Sequence, residues 1–594
     1  MPVCPGAVSW PAGDYAVDPD RRPQDNGGMQ GEQLKMGTRW WRVALVDGPI
    51  LLVLILFFLL LKSYGFNLAS GDENIYFYDA FLWSEGAWPY RDFFFAHPPL
   101  HLLPGWLLLL ITGEFDLETV KMLPVAAAVI SGVCVYLITR RAGGTISAVL
   151  ACVLLFFSHD FLRASTHWTG INWAVAWLSG GLLAALAGRG VLAGVLLGLG
   201  MTTGVYAGPG AIIITVLLFL ARPKLGLWCG IAAFGTWAVV SGAFWLVGGD
   251  GYIDQVYRYH FLKPPAQGRG FADVLPRLLF HNFFVLAAPL LLLPVLVVRA
   301  FGVLERYNYR IRWRSFLDPT RYPVLGTGIW CVALASGYLC FLGLLSRIFD
   351  YYSLLLFPAG AVCGGLYLSR LVSNTIQARR NKPAAVGAVL MSVPLIVGFL
   401  AYPRFEHELK YFAANQGKSK TYASPRSHLP EVLDASLKRL LWNKTRVIGN
   451  RYSGIQFYLW HESRRFTTAR DMADVLRRNA REGETLWGDS ASAPLLSLLS
   501  GVPLVDRFVD TNGMRFECGM PSAKDAVAQL EAALAREEEP LVWLLLRPGR
   551  GVASRTKPMF EPLRKFYDKY FRTFQVFQDP NQGEFRLLVR KDRR

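Results

Sequence analysis

Long apolar segments, separated by short polar ones, occupy most of the chain between residues 43 and 401. Several of them approach or exceed the roughly 18 consecutive apolar residues that a helix needs to cross a bilayer. A further run, 100–111, is short for a full span and predicts a surface or re-entrant helix. The pattern therefore predicts a polytopic α-helical membrane protein. Its spans, about eleven in number, are expected near residues 43–62, 119–138, 145–158, 171–187, 190–205, 210–221, 225–247, 283–298, 324–345, 352–370 and 384–401.

Arginine and lysine residues between the predicted spans fall in alternate loops. Cytoplasmic loops of membrane proteins carry an excess of these residues, so the alternation predicts a cytoplasmic N-terminus. The spans themselves carry few charges, and chemistry is expected on the opposite face. That face is predicted to hold the loops 63–118, 158–170, 202–209, 248–282 and 346–352, and everything after residue 402.

The two ends of the chain differ from its apolar middle. Residues 1–38 are rich in Pro, Gly, Asp and Arg without periodicity, which predicts a disordered cytoplasmic tail. Residues 403–430 are polar and predict a linker, and 431–594 read as soluble sequence. Strands alternating with helices predict a small extracytoplasmic α/β domain there. The predicted strands are 484–488, 541–546, 573–578 and 585–590, and the predicted helices are 494–500, closed by Gly501, and 523–536.

Composition narrows the functional classes. The formal charge is +18, which in a soluble protein would suggest a nucleic-acid partner. Here the charge fits cytoplasmic loops and a surface near anionic lipid headgroups, and the sequence carries no nucleic-acid motif. The 8 cysteines show no metal-ligand spacing. No glycine-rich phosphate loop, Ser-His-Asp pattern or metalloprotease pattern is present either.

The segment 71–104 differs from every other loop, because it is too aromatic for a solvated linker and too charged for a span. It opens with Asp72 and Glu73 and ends at His97, which two prolines hold in an extended backbone. An isolated aspartate at this place would be read as a helix cap, and an isolated histidine as an interfacial residue. Together these features predict an active-site loop that lies along the membrane surface.

Other loops on the same face carry candidate acids and cations. Asp160 offers a second carboxylate, and Arg163 and His167 would share a helix face because they are four residues apart. These residues fit an acid with a phosphate clamp, and they fit a solvated loop equally well. Arg258 and Lys263, among aromatic residues, suit a phosphorylated lipid headgroup or ordinary interfacial anchoring.

A last basic site lies at 347–352, where a span meets the same surface. Arg347 could bind an anion there or extend its charged end to water. Tyr351 follows it in an aromatic stretch. The sequence leaves both roles of Arg347 open.

Three motifs, Asp72-Glu73, the stretch 86–92 (GAWPYRD) and 97–100 (HPPL), together resemble the GT-C superfamily of membrane glycosyltransferases. The group that they resemble most comprises the bacterial protein O-mannosyltransferases and the aminoarabinose lipid A transferases. The resemblance implies an inverting transfer of a sugar from a polyprenyl-phosphate carrier to an acceptor hydroxyl. It implies that Asp72 matches the catalytic aspartate of the first loop and that Asp160 lies where relatives carry a second acid. His97 stands where the aminoarabinose transferases often have lysine.

These observations predict a glycosyltransferase with residues 39–402 as its transmembrane domain and 63–118 as its catalytic first loop. It is expected at the outer face of a bacterial plasma membrane. The expected partners are a polyprenyl-phosphate sugar, membrane lipids and an acceptor that is a protein, a lipid or a glycan; no cofactor is required, and a divalent metal stays open. The candidate catalytic residues are Asp72, Glu73 and Asp160, and the candidate substrate-binding residues are Tyr90, Arg91, His97, Arg163, His167, Arg258, Lys263, Arg347 and Tyr351.

Two alternatives differ in class. A transporter or flippase of a lipid-linked sugar would carry internal repeats and charges near the middle of its spans. A non-catalytic membrane anchor would have short, dispensable first loops. The sequence shows neither pattern clearly. Convergence of Asp72, His97 and Asp160 on one cavity would favour the enzyme, and scattered positions would favour the anchor.

Overall fold

A computed structural model describes most of the chain. The described residues are 29–63, 65–69, 71–113, 116–265, 270–306, 309, 313–378, 382–401, 466–554 and 557–593. The predicted linker 403–430, the first part of the predicted soluble domain and residues 1–28 lie outside them.

Helices account for nearly all of the described chain up to residue 401. Each predicted span overlaps a helix, because apolar length is the signal that dictates helices in a bilayer. The predicted span 283–298 contains the end of one helix, at Leu286, and most of the next, which begins at Ala288. Six are long and apolar enough to cross a membrane: Leu45–Lys62, Thr119–Gly143, Pro223–Gly248, Asn282–Arg306, Pro323–Leu344 and Tyr351–Ala378. The helices are α1 (Met29–Lys62), α2 (Glu73–Ser84), α3 (Leu103–Thr112), α4 (Leu117–Gly143), α5 (Thr145–Phe156), α6 (His159–Ala164), α7 (Gly170–Leu186), α8 (Gly190–Thr203), α9 (Gly208–Ala221), α10 (Pro223–Gly248), α11 (Asp250–Ile253), α12 (Tyr259–Leu262), α13 (Phe271–Leu286), α14 (Ala288–Arg306), α15 (Pro323–Leu344), α16 (Phe357–Ala378) and α17 (Lys382–Ala401).

Two local expectations meet different outcomes. The apolar run 100–111 forms α3, a helix of 10 residues that is too short to span a bilayer, as expected. The predicted tail 1–38 is too long, because α1 already begins at Met29. Residues 29–38 include Gln, Glu, Leu, Lys and Met, which are good helix formers, and they continue the helix of the apolar segment towards the N-terminus.

Ion pairs connect the loops on one face of the helical bundle. Arg140, after the second predicted span, donates to Asp47 at the start of the first, with Nε–Oδ2 2.9 Å. Arg222 donates to Asp318 with Nη2–Oδ1 2.7 Å. Both pairs join loops that the charge pattern assigns to the same side. The loop contacts therefore follow the predicted alternation.

The C-terminal region forms a small α/β domain around one sheet. Its strands are β1 (Thr485–Gly488), β2 (Leu541–Leu546), β3 (Phe571–Asp579) and β4 (Gly583–Arg590), in the order β1-β2-β4-β3. β1 and β2 are parallel, and the other pairs are antiparallel. All residues of β2 are buried, as its apolar sequence predicts for a central strand. The helices are α18 (Ala469–Asn479), α19 (Ala493–Ser500), α20 (Gly513–Glu517), α21 (Ala523–Leu534) and α22 (Glu561–Tyr570).

Helix α2 of the first loop lies between the bundle and the C-terminal domain. The side-chain amide of Asn74 donates to the backbone oxygen of Ala491 at 2.5 Å. The backbone N–H of Leu504 donates to Tyr78 Oη at 3.0 Å. One buried apolar cluster includes residues of α2 and of the C-terminal domain. The domain is therefore packed directly on the loop that the sequence singles out.

Candidate active site

Asp72 precedes the first turn of α2, and its side chain is exposed. Its carboxylate makes no capping hydrogen bond, so the structure does not use it as a helix cap. The surrounding protein, and to a smaller degree the nearby Asp510, raise the pKa of Asp72 to about 6, and Lys263 acts in the opposite direction. Asp72 is therefore an accessible carboxylate that changes its charge close to neutral pH.

Glu73 has a different environment from its neighbour. It is buried, and its carboxylate lies 3.0 Å from Lys121 Nζ and 3.4 Å from His167 Nδ1. Burial alone would raise the pKa of Glu73, but these two cations outweigh it and lower the pKa to about 2. Glu73 thus holds α2 against α4 as a permanently charged residue.

Asp160 is buried in a hydrogen-bonded cluster between α6 and α13. Asn282 Nδ2 donates to Asp160 Oδ2 at 2.6 Å, and Asn282 Oδ1 accepts from the Asp160 backbone N–H at 3.1 Å. His159 Nδ1 lies 3.0 Å from the other carboxylate oxygen. The backbone of Asn282 is non-helical, with φ −135°, where α13 is kinked. These contacts fix the position of Asp160.

His97 lies in a recess lined mainly by aromatic and small residues. Its Nε2 is 2.9 Å from Tyr76 Oη. Pro98 is extended, with ψ 154°, as the two prolines predict. Burial, and then the neighbouring His101 and His260, hold the pKa of His97 well below its usual range, so the ring is neutral. The recess is lined by Tyr76, His97, Thr169, Gly170, Ile171, Thr203, Gly204, Val205, Tyr206, His260, Tyr351 and Tyr352.

Lys263 is oriented by His260 at the edge of this recess. His260 Nε2 lies 2.7 Å from the backbone oxygen of Ala96, which can only accept. Nε2 therefore carries the proton, and Nδ1 is left to accept from Lys263 Nζ at 2.7 Å. Burial, and then the proximity of Arg347, lower the pKa of Lys263 to about 8, while Asp510 and Asp72 oppose the shift.

Arg347 supplies a second cation near Lys263. Its guanidinium lies over the ring of Phe349 at 5.4 Å, and its Nε has no hydrogen-bond partner among the described residues. Among the residues that the structure describes, neither Arg347 nor Lys263 forms an ion pair with a carboxylate. Arg347 lowers the pKa of Lys263, and two neighbouring cations make a site where an anion is favoured.

Some predicted substrate-binding residues lie elsewhere. Arg91 is exposed and pairs with its neighbour Asp92 at 2.8 Å. Arg258 is exposed and pairs with Asp254 at 3.5 Å within one helical segment. Tyr90 is buried and donates from Oη to the backbone oxygen of His97 at 2.6 Å, so it supports the loop from behind. None of the three lines the recess.

The expected helix face with Arg163 and His167 is wrong. Helix α6 ends at Ala164, and Ser165 begins a turn. Polar residues and an aromatic residue follow it in the sequence Ser-Thr-His-Trp, which favours a turn over a longer helix. His167 lies beyond the end of this helix, with its Nδ1 3.4 Å from Glu73 Oε2.

The sequence leaves open a divalent metal held by carboxylates. Within the described ranges, no group of three or more His, Cys, Asp or Glu residues has the geometry of a metal site. Neither Asp72 nor Asp160 lines the recess with His97. Lys263 contacts His260 of the recess wall, and its charge acts on Asp72. That arrangement suits a reaction that moves a proton and releases an anion.

Comparison with solved structures extends over nearly the whole chain. ArnT from Cupriavidus metallidurans in the apo state matches with TM-score 0.53 and 15% identity, over 93% of this chain and 98% of ArnT. The same protein bound to undecaprenyl phosphate matches with TM-score 0.52 and 14% identity, over 92% and 98%. The apo oligosaccharyltransferase of Archaeoglobus fulgidus matches with TM-score 0.52 and 13% identity, over 90% and 74%. The chain has the GT-C fold.

The GT-C fold confirms the fold class that the first-loop motifs predict. No family model and no curated protein matches the sequence. The likeness is therefore carried by architecture, at 13–15% identity in these matches.

Within this GT-C fold, the structure also brings in residues that sequence reasoning missed. Asp489, Asp510 and Arg515 of the C-terminal domain lie close enough to the first loop to act on its charges. Asp489 directly follows β1, which pairs in parallel with β2. A polar residue at the carboxyl end of a parallel strand is a known sign of a site, and the sequence did contain that signal.

Proposed function

We propose that this protein transfers a sugar from a polyprenyl-phosphate carrier to an acceptor hydroxyl, with inversion at the anomeric carbon. The observation that carries the proposal is the accessible carboxylate of Asp72 in the electrostatic field of Lys263, which Arg347 accompanies. The GT-C fold supports the reaction class, because the matched proteins are named as ArnT and an oligosaccharyltransferase. One of them is described as bound to undecaprenyl phosphate.

Asp72 is the proposed general base. It accepts the proton of the acceptor hydroxyl while the hydroxyl oxygen attacks the anomeric carbon of the donor sugar. A base works best when its pKa lies near the working pH, and the pKa of Asp72 is about 6. Glu73 does not share this role, because it is buried in ion pairs with Lys121 and His167.

Lys263 and Arg347 are the proposed cations for the leaving group. As the bond between the anomeric carbon and the phosphate oxygen breaks, its electron pair stays on the phosphate, and the two cations stabilise this charge. His260 holds the Lys263 ammonium in place. His97 is neutral and hydrogen-bonded to Tyr76, so its proposed role is to bind the substrate as an uncharged polar group. Tyr351 is proposed to bind substrate as part of the recess wall.

Asp160 is proposed to support the site and not to exchange protons with substrate. Both of its carboxylate oxygens already have partners, Asn282 and His159. Its cluster fixes the short helix α6 against α13.

The loops that form the site come from the face that the charge pattern assigns to the outside. We therefore place the reaction at the outer face of a bacterial plasma membrane, with the C-terminal domain on that face. Contacts such as that of Asn74 with Ala491 support a common side for the first loop and the domain. The acceptor is a protein, a lipid or a glycan with a free hydroxyl.

The test is release of polyprenyl phosphate by purified protein that is offered a panel of polyprenyl-phosphate sugars and acceptors. We expect Asp72→Asn to lower the rate by about 10²–10⁴-fold, because the amide cannot accept the proton. Glu85→Gln is the matched control, since Glu85 is an exposed carboxylate at the other end of α2. Full activity of Asp72→Asn would remove Asp72 as base, and no release with any donor would contradict the reaction class.

A further inference from the structure

The C-terminal domain meets the first loop at the carboxyl end of β1. Asp489 follows this strand directly, and its backbone N–H donates to Leu545 of β2 at 2.9 Å. The Thr511 hydroxyl donates to the backbone oxygen of Gly488, the last residue of β1. Asp510 is therefore held at the same edge of the sheet as Asp489. Both carboxylates are more than nine-tenths buried.

This edge of the sheet is docked onto the first turns of α2. Asn74, two residues after Asp72, donates to Ala491, two residues after Asp489. Leu504 and Tyr78 form a second hydrogen bond at 3.0 Å. The hydrogen bonds fix the two segments to each other close to Asp72.

Arg515 fixes Asp510 from its other side. Arg515 Nη1 donates to the backbone oxygen of Asp510 at 2.8 Å. Its guanidinium lies 4.8 Å from the ring centre of Phe508 and 4.1 Å from that of Phe94 in the first loop. A planar cation between two aromatic rings, one from each domain, restrains Asp510 relative to the loop.

Two buried carboxylates at this interface have atoms without partners. Asp489 Oδ2 and both oxygens of Asp79 make no hydrogen bond to any described residue. Asp79 lies on the same face of α2 as Asp72 and Tyr76, and Asp510 and Arg515 are the charges nearest to it. An acidic group that is left unpaired in such a place marks a functional site more often than a structural one.

We infer that the C-terminal domain is part of the active site, and that its Asp510, held at the sheet edge that docks onto the start of α2, is a positioning residue for Asp72. This inference rests on the proposed function of Asp72 as base. Two neighbouring carboxylates do not both ionise easily, so a charged Asp510 makes Asp72 retain its proton to higher pH. Asp72 thereby becomes a stronger base near neutrality.

Four charged groups act on Asp72, and they come from three parts of the chain. Asp510 and Asp489 come from the C-terminal domain, Lys263 from the segment after α12, and Glu73 from α2. Among these charges Asp510 has the largest effect, followed by Lys263, Asp489 and Glu73. Burial raises the pKa of Asp510, and Arg515, the Asn512 N–H and Lys263 oppose this shift.

The experiment is the pH dependence of kcat/KM for polyprenyl phosphate release by the full-length protein. In Asp510→Asn we expect the acidic limb to move below its wild-type position of about 6, by part of the shift only, because the burial of Asp72 is unchanged. Asp489→Asn should move it in the same direction by less. Glu538→Gln, an exposed carboxylate of the same domain, should leave the limb in place. A structural role alone would lower activity at every pH without moving the limb.

An unchanged limb in a folded and active Asp510→Asn protein would overturn the inference. If that variant fails to fold, as judged by gel filtration and thermal unfolding, an unchanged limb in Asp489→Asn would overturn it instead. Loss of the proposed function has a different signature, which is full activity of Asp72→Asn. The two failures are therefore distinguishable in one series of variants.

Discussion

Some charges of the candidate site differ in their pairing from charges on the opposite face of the helical bundle. On one face, Asp47 accepts hydrogen bonds from Arg140, Tyr136 and Thr145, and Asp318 pairs with Arg222. On the other face, the carboxylate of Asp72 caps no helix. Lys263 and Arg347 there lie together without a carboxylate partner among the described residues.

The difference in pairing separates charges that stabilise the fold from charges that are available to bind a ligand. A buried or half-buried charge without a partner costs folding free energy. Such groups persist in proteins where a substrate supplies the missing partner, at the expense of stability. The paired charges are therefore expected to govern stability, and the unpaired charges of the site to govern activity.

The largest effect on activity is expected from removal of the unpaired cations Lys263 and Arg347. We expect Lys263→Met and Arg347→Met each to lower kcat by about 10²–10³-fold, because each removes one group that stabilises the leaving phosphate. Thermal unfolding should not become easier, since the remaining cation is relieved of repulsion. Arg258→Met is the control, because Arg258 is exposed and paired with Asp254.

A polyprenyl phosphate binding assay sharpens that test. Lys263→Met and Arg347→Met should both bind polyprenyl phosphate more weakly than wild type, and Arg258→Met should bind it equally well. Wild-type affinity in Lys263→Met and Arg347→Met would move the phosphate site away from this pair.

The next effect concerns pH. Below about 6, Asp72 takes up a proton and can no longer act as a base. Above about 8, Lys263 loses its proton and no longer neutralises the phosphate. We therefore expect kcat/KM to be largest between these values and to fall on both sides, because this ratio reports the free enzyme. Lys263→Arg should abolish the basic limb, and a basic limb that persists would assign it to another group.

The smallest effect on activity is expected from loss of the ion pair between Asp47 and Arg140. Asp47→Ala leaves Arg140 without its partner, and we expect a loss of about 2 kcal/mol in the free energy of unfolding. This value is below that for a fully buried pair, because the Arg140 side chain is 32% exposed. Transfer per folded molecule should equal that of wild type. Tyr136→Phe, which removes only one hydrogen bond to Asp47, should cost about 1 kcal/mol.

Sequence patterns predicted the elements of the fold well, because helices in a bilayer follow apolar length and central strands follow apolar runs. The same holds for β2 and for the loop around Asp72, whose residues stand close together in the chain. The left-handed conformation of Gly501, with φ +79°, closes α19 as predicted. Each of these features depends on neighbours within a few residues.

The parts that sequence reasoning missed depend on distant neighbours. Whether a charge is paired cannot be read from its own loop: Glu73 and Asp72 are adjacent, yet one is buried in ion pairs and the other is accessible. Asp510 is ordinary in its own stretch of sequence. It gains its importance only from packing that brings it to α2.

The hydrogen bond between Asn74 and Ala491 joins residues that are 417 positions apart. A ribosome that adds 5–20 residues per second needs roughly 20–80 s to cover this distance. Throughout that interval α2 has been made, but the part of the chain that covers it has not. Under the proposed arrangement of the active site, newly inserted helices therefore lack part of the site until the last domain has been made.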